Sequence, residues 1–193
     1  MASPVTHHSI PLETRQLVAQ RYRVVTWAVN RSLWDVVSDT AHSLYVGSYG
    51  RGTAVDTSDV DVLVEVPSRF YVRPDYYSTY NPQSRLLQVV KEAVLSSYPR
   101  SSVRADGQVV VVDFSDGMKF EVLPAIREQD GWGGTHYRYP DTHMGGNWMS
   151  TDPKSEQGAL AERDRSSNGL LKDTCKLIGG APAKLSGRAA PDA

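Results

Sequence analysis

The sequence has very little cysteine: Cys175 stands alone in 193 residues. A single thiol excludes a disulfide framework within the chain, and histidine and cysteine do not recur at the spacing of zinc ligands. Long apolar runs are also missing, since no stretch of about eighteen apolar residues occurs, and we expect no membrane-spanning segment and no membrane partner. The N-terminus lacks the apolar core of a secretory signal. These absences predict a protein of the reducing cytoplasm.

The chain also has almost no net charge, with a formal value of -1. Because a near-neutral surface does not attract polyanions in general, no long nucleic acid is expected as the main partner. A content of 40% hydrophobic and 22% charged residues is typical of a soluble globular protein. The length suits one domain, which we place at residues 12–178. Residues 1–11 are predicted to form a flexible arm, and the Gly/Pro/Ala-rich residues 179–193 a disordered tail.

Periodicity predicts alternating helices and strands. Apolar residues at spacings of three and four predict a first helix over residues 12–38 and a second over 82–98. Four consecutive valines before a Ser-Asp-Gly-Met turn predict a hairpin that joins residues 109–114 to 118–123. We expect an ordered loop over residues 127–153, then a helix over 154–178 with a break near 166–169.

The stretch YVGSYGRGTAVDTSDVDVLVEV, residues 45–66, carries the clearest chemical signal. A short strand is predicted over residues 43–46, a glycine-rich turn over 47–52 and a second strand over 59–66. Side chains two apart on a strand share a face, so Asp59 and Asp61 would present two carboxylates side by side. A divalent cation would offset their repulsion, and hard oxygen ligands suit Mg²⁺ or Mn²⁺.

The turn before these aspartates suits a polyphosphate. Its three glycines allow backbone N–H groups to approach phosphates closely, and Ser48 adds a hydroxyl donor. The turn is not a Walker loop, since no Lys-Ser/Thr pair follows it. Either feature alone is common on solvated strands and turns, but their order along the chain favours a function.

At this point the sequence resembles the DNA polymerase β-like nucleotidyltransferase superfamily, whose motif runs G-S, then G-x-G-T, then D-x-D. The stretch KFEVLPAI, residues 119–126, is similar to the strand that carries the third metal-binding acid in oligoadenylate synthetases and in the bacterial cyclic-oligonucleotide synthases of antiphage defence. The segments YRYPD and GGNWMSTDP, within residues 137–153, resemble the same subgroup. The resemblance covers about residues 10–178. It implies an α+β fold with a mixed, mostly antiparallel sheet packed against helices, largely without the C-terminal helical lobe of the relatives.

The resemblance also implies a site and a reaction. Asp59, Asp61 and Glu121 would hold two Mg²⁺ or Mn²⁺ ions, and Gly47 and Ser48 would bind the β- and γ-phosphates of a nucleoside triphosphate. A ribose hydroxyl would attack the α-phosphorus, pyrophosphate would leave, and repetition would give a cyclic or linear oligonucleotide messenger. The substrates would be ATP and, by extension, GTP, UTP or CTP. Regulatory or effector proteins, and a second subunit that completes the cleft, are the protein partners expected.

Some assignments stay open. Asp113 competes with Glu121 for the role of third metal ligand, although a turn residue is its more ordinary role. The family's phosphate-binding lysine falls on Gly179, so Lys172 and Lys176 are the candidates to replace it, or else solvated helix charges. Four aromatic residues are candidates either to stack on a base or to pack beneath the long loop: Trp132, Tyr137, Tyr139 and Trp148.

Two other functions remain compatible with the sequence. In the first, the chain is a nucleotidyltransferase that modifies a protein or a small molecule, as the smallest members of the superfamily do. Alternatively, it would be a nucleotide-binding remnant without turnover. Incubation with labelled nucleotides, followed by identification of the molecule that carries the label, would distinguish the three hypotheses.

Overall fold

The computed structural model describes residues 10–56, 59–70, 81–143 and 146–180. The predicted arm and tail therefore fall mostly outside the described residues, as do residues 71–80. Five helices are described: α1 (Leu12–Val29), α2 (Gly47–Arg51), α3 (Pro82–Ser97), α4 (Pro153–Ser166) and α5 (Leu170–Gly179). In this part of the chain, none of the helices has the length and apolar character that crossing a membrane requires.

Seven strands complete the α+β fold: β1 (Ser43–Tyr45), β2 (Val60–Glu65), β3 (Ser102–Asp106), β4 (Val109–Asp113), β5 (Lys119–Gln129), β6 (Thr135–Asp141) and β7 (Asn147–Thr151). The main sheet has the order β1-β2-β5-β4-β3. Strands β2 and β5 are parallel, and the other described pairs are antiparallel. The predicted fold class, a mixed and mostly antiparallel sheet with helices, is confirmed.

The main core lies between the sheet and helices α1 and α3. Alternation along β2 directs Val60, Val62 and Val64 toward this core, where each is at most 1% exposed. Helix α3 adds Leu86 and Val90 at helical spacing. Its N-terminus is capped by the Asn81 side chain, which accepts a hydrogen bond from the Ser84 amide. One face of the sheet is thus covered by helices, and polar side chains on the strands are directed to the opposite face.

The first helix ends earlier than predicted. It continues as a π-helical turn over Asn30–Trp34 and stops where Asp35 adopts a left-handed conformation, with φ of 56°. Asn30 is buried, and its Nδ2 donates to the carbonyls of Ser38 and Ala41. These hydrogen bonds fix the chain reversal after the helix. The spacing of apolar residues carries no information about them, so the predicted helix was too long.

The prediction of a loop over residues 127–153 is wrong. Strand β5 extends to Gln129, and β6 and β7 form a ribbon that pairs with its second half. Tyr137 of β6 is buried, and its hydroxyl donates to Glu65 Oε1 at 3.0 Å. Burial and the Glu65 carboxylate raise the pKa of Tyr137 to about 12. With Leu63 and Ala125 it forms a small second core on the face away from α1 and α3.

Other expectations hold. The hairpin is formed by β4 and β5, and the predicted break in the last helix lies at Ser167–Gly169, where Gly169 has φ of 84°. The glycine turn over 47–52 contains the short helix α2, which ends at Gly52 with φ of 70°.

Candidate active site

Asp61 and Glu121 face each other across the parallel pair β2 and β5. The register pairs Asp61 with Glu121 directly. Each is flanked by buried residues that face the main core, such as Val60 and Phe120, so both carboxyl groups occupy the opposite face of the sheet. Asp59 comes two residues before Asp61, just ahead of β2. The structure therefore places Asp61 beside Glu121, with Asp59 just before the strand that carries Asp61.

The charges of Glu121 and Asp59 act on Asp61. The pKa of Asp61 is raised above its usual value, first by burial and then by the negative charges of Glu121 and Asp59. Arg51 and Lys119 act in the opposite direction but do not cancel the effect. Because neighbouring carboxylates raise the pKa of Asp61, the site favours the arrival of a positive charge.

Lys119 supplies one positive charge, and the sequence did not single it out. Its Nζ lies 3.0 Å from Asp59 Oδ2 and 2.6 Å from Glu121 Oε1. The hydrogen bonds to Glu121 and Asp59 raise the pKa of Lys119 above its usual value, so the side chain is a cation at neutral pH. The sequence could have indicated Lys119, because it precedes Glu121 by two residues on a predicted strand. That spacing places both side chains on one face of the strand.

Asp113, the competing third acid, is directed elsewhere. It lies at the end of β4 opposite Lys119, and its carboxylate pairs with Arg104 of the neighbouring strand β3. The direct register of Asp61 with Glu121 therefore favours Glu121 over Asp113.

Gly47 brings the backbone of α2 against Asp61. A β-carbon at Gly47 would lie 1.8 Å from Asp61 Oδ2, and the residue has φ of 55°, in the left-handed region. Only glycine meets both conditions without strain. The first intrahelical hydrogen bond runs from Gly50 N–H to Val46 O, so the amides of Gly47 and Ser48 precede the helical ladder. These amides are placed to donate to an anion beside the acids.

A cavity of about 290 Å³ opens in front of Asp61 and Glu121. Gly47, Tyr139 and Glu156 are among its lining residues. Of the four aromatic candidates, Tyr139 alone lines this cavity; Tyr137 is buried, Trp148 packs against the main core, and Trp132 is 98% exposed. Tyr139 is thus the aromatic side chain placed to contact a ligand there.

Helix α4 holds α2 in position. Gln157 Nε2 donates to the carbonyl of Tyr45 at 2.9 Å, at the end of β1. Gly50 allows this approach, because a β-carbon there would lie 2.4 Å from Gln157 Nε2. Arg51 also lies 4.0 Å from Glu156 on α4. Glu156 and Gln157 were not predicted, since their role depends on how two distant segments pack.

Lys172 and Lys176 lie at the other end of α2. Lys172 Nζ is 3.5 Å from the point that a β-carbon on Gly52 would occupy. Lys176 lines a second cavity of about 380 Å³ together with Arg15, Tyr49 and Gly52. Gly47 and the acids are at the N-terminal end of α2, so the structure brings both lysines to the same short helix but not into the acidic cavity.

The acid residues fit a divalent cation in their chemistry. Within the described ranges, no three His, Cys, Asp or Glu side chains are gathered into a ready metal-binding cluster. The Lys119 ammonium, however, already binds oxygens of both Asp59 and Glu121. This stand-in cation shows that the two carboxylates accept one positive charge between them, and carboxylate oxygens are the donors that Mg²⁺ and Mn²⁺ prefer.

Comparison with solved structures identifies the fold. CdnE cyclic dinucleotide synthase from Elizabethkingia meningoseptica, solved with GTP and Apcpp, aligns with a TM-score of 0.60 at 17% identity, over 88% of this chain and 59% of that one. CdnE c-UMP-AMP synthase from Rhodothermus marinus, solved with Apcpp and Upnpp, aligns with a TM-score of 0.61 at 17% identity, over 95% and 69%. CdnC from E. coli MS115-1, solved with ATP, gives 0.59 at 15% identity, over 89% and 52%. The chain therefore has the fold of these three proteins over most of its length, and it spans about half to two thirds of their own length.

No curated protein sequence matches the chain. A family match does exist: residues 6–164 match the Second Messenger Oligonucleotide or Dinucleotide Synthetase domain. The match covers most of the chain and includes the glycine turn, the three acids and the ribbon of β6 and β7. The chain therefore belongs to the Second Messenger Oligonucleotide or Dinucleotide Synthetase family.

Proposed function

We propose that the chain is a metal-dependent nucleotidyltransferase that joins nucleoside triphosphates into a cyclic or linear oligonucleotide messenger for antiphage signalling. The observation that carries the proposal is the direct register of Asp61 with Glu121, with Asp59 on the same side and the backbone at Gly47 against Asp61. Family membership and the nucleotides present in the aligned synthase structures support it. We place the activity in the cytoplasm.

In this proposal Asp59, Asp61 and Glu121 hold two Mg²⁺ or Mn²⁺ ions. When bound, such ions lower the pKa of an attacking hydroxyl and neutralise charge on the leaving pyrophosphate. The contribution of the protein is to hold Asp61 and Glu121 in direct register on two adjacent strands, with Asp59 just ahead of β2. The attack by a ribose hydroxyl on the α-phosphorus then proceeds in line with pyrophosphate departure.

The glycine turn positions the donor nucleotide. The amides of Gly47 and Ser48 and the Ser48 hydroxyl donate hydrogen bonds to the β- and γ-phosphates. Tyr139 presents an aromatic ring within the cavity for contact with a base. Lys172 and Lys176 approach the triphosphate only when it extends toward the Gly52 end of α2.

The test is synthesis from labelled ATP, GTP, UTP and CTP with Mg²⁺ or Mn²⁺, comparing the chain with the double variant Asp59→Asn/Asp61→Asn. We expect a phosphatase-resistant product from the original chain and at least a hundredfold less from the variant, because removing the metal ligands removes transition-state stabilisation. The matched control is Glu92→Gln/Asp106→Asn, which removes two exposed carboxylates elsewhere. Equal synthesis by the double variant would refute the site, and label on a protein would indicate the modifying transferase instead.

One observation favours a second candidate, a protein that binds nucleotide without turnover. Lys119 already forms ion pairs with two of the three acids and supplies one positive charge between them. In this case the chain would bind ATP tightly in equilibrium dialysis, and neither Mg²⁺ nor Mn²⁺ would produce pyrophosphate. The same labelled-nucleotide experiment distinguishes the two candidates.

A further inference from the structure

Lys119 connects two of the three acids across the sheet. Phe120, the residue between Lys119 and Glu121, is fully buried in the main core, so Lys119 and Glu121 share the opposite face of β5. The ammonium is 2.6 Å from Glu121 Oε1 and 3.0 Å from Asp59 Oδ2. It therefore contacts the same oxygens that are candidate metal ligands.

We propose that Lys119 is an internal counterion that competes with the divalent cation for Asp59 and Glu121 and thereby sets how tightly the site binds metal. This inference rests on the proposed function, in which these acids hold the metal. A divalent ion on Glu121 Oε1 would lie close to the ammonium, and two positive charges at that separation repel. The ammonium must leave before the metal binds fully.

The competition has a cost in metal affinity. Hydrogen bonds between charged groups are worth roughly ten- to a hundredfold in an equilibrium constant. Replacing Lys119 with a neutral side chain of similar length removes this competitor and leaves the carboxylates to repel each other. The affinity for the metal then increases, because the bound cation relieves the whole repulsion between the carboxylates.

The structure offers the displaced ammonium another position. Lys119 lines a cavity of about 330 Å³ that is also lined by Asp56, Asp59 and Asp116. Asp116 binds Arg21 at 3.0 Å, and its side chain is 41% exposed. A lysine side chain has four rotatable methylene bonds, so Lys119 reaches this cavity by rotation without movement of β5.

The experiment measures Mn²⁺ binding to the full chain without nucleotide, by electron paramagnetic resonance of free Mn²⁺. We expect Lys119→Met to lower the Kd for Mn²⁺ at least about tenfold. The matched control Lys154→Met removes an exposed lysine on α4 and leaves the Kd within about twofold. We also expect Lys119→Met to melt at a lower temperature than the original chain when no metal is added.

The outcomes separate the inference from the proposed function. If the original chain binds Mn²⁺ and Lys119→Met binds it equally or more weakly, the counterion role is overturned and the metal site stands. If neither binds Mn²⁺ while both remain folded by circular dichroism, the proposed metal site fails, and the inference fails with it.

A second measurement needs no destabilising variant. In the original chain labelled with ¹³C-lysine, the Cε signal of Lys119 is assigned by comparison with Lys119→Arg. We expect this signal to shift on titration with Mg²⁺, because the ammonium leaves Glu121 and Asp59, while the Lys154 signal stays unchanged. A Lys119 signal that is constant up to saturating Mg²⁺ would overturn the proposal even if Lys119→Met does not fold.

Discussion

At the scale of single residues, the site depends on charges that destabilise the protein until a cation neutralises them. Burial and two neighbouring carboxylates raise the pKa of Asp61. Residues arranged in this way are kept for function rather than stability. Lys119 relieves part of the repulsion, which explains how three acids share one face of two adjacent strands.

Gly47 gives the sharpest prediction at this scale. Gly47→Ala places a β-carbon 1.8 Å from Asp61 Oδ2 on a residue with φ of 55°. The left-handed conformation alone costs about 1 kcal/mol, and the displacement of Asp61 adds about 1–3 kcal/mol. Urea denaturation should therefore show a loss of about 2–4 kcal/mol in the free energy of unfolding, and oligonucleotide synthesis should fall at least tenfold.

The control for Gly47 is Gly133→Ala. Gly133 has φ of 82°, but a β-carbon there has no atom within 4 Å. This variant carries the conformational penalty alone, so it should lose about 1 kcal/mol and keep its synthesis. Equal losses in the two variants would show that contact with Asp61 contributes nothing.

At the scale of elements, the sequence predicted the parts of the fold that local patterns determine. Asp59 and Asp61 were placed on a strand by alternation, and the β4–β5 hairpin by its valines and turn. Strands β6 and β7 were missed because tyrosine, glycine and tryptophan obscure alternation, and their pairing depends on the distant second half of β5. Lys119 was missed for a related reason: its partner Asp59 is 60 residues away.

The same dependence on distant contacts gives a prediction for α4. Gln157→Ala removes the hydrogen bond from Nε2 to the Tyr45 carbonyl, which leaves that carbonyl without this donor beside Gly50. We expect the free energy of unfolding to fall by about 1 kcal/mol. The KM for nucleoside triphosphate should rise severalfold, because α2 carries the amides that we propose to bind phosphate and loses a support.

The control for Gln157 is Gln88→Ala, which truncates an exposed glutamine on α3. It should change neither the free energy of unfolding nor the KM beyond experimental error. An equal rise in KM in both variants would mean that the effect is not specific to the contact between Gln157 and Tyr45. The position of α2 would then not depend on α4.

At the scale of the whole molecule, burial is high in the central strands of the sheet and low in α5. Strands β2 and β5 contribute residues with no exposure, such as Val62 and Val122, whereas α5 has no buried residue. Leu170 and Ile178 of α5 are 66% and 72% exposed. Native-state hydrogen exchange should therefore be slowest in β2 and β5 and fast in α5, since local opening follows the density of buried contacts.

Bound nucleotide should change this pattern in a way that tests the two lysines. If Lys172 and Lys176 contact the triphosphate, a non-hydrolysable ATP analogue with Mg²⁺ should slow exchange in α5 as well as at the start of α2. Restricting α5 through two charge-assisted contacts should reduce its exchange rate at least about tenfold. Lys172→Met/Lys176→Met should lose the protection of α5 but keep that of α2, because Gly47 and Ser48 are unchanged. Protection of α2 with no change in α5 in the original chain would show that both lysines are solvated charges, and the phosphates would then depend on the glycine turn and the metal ions.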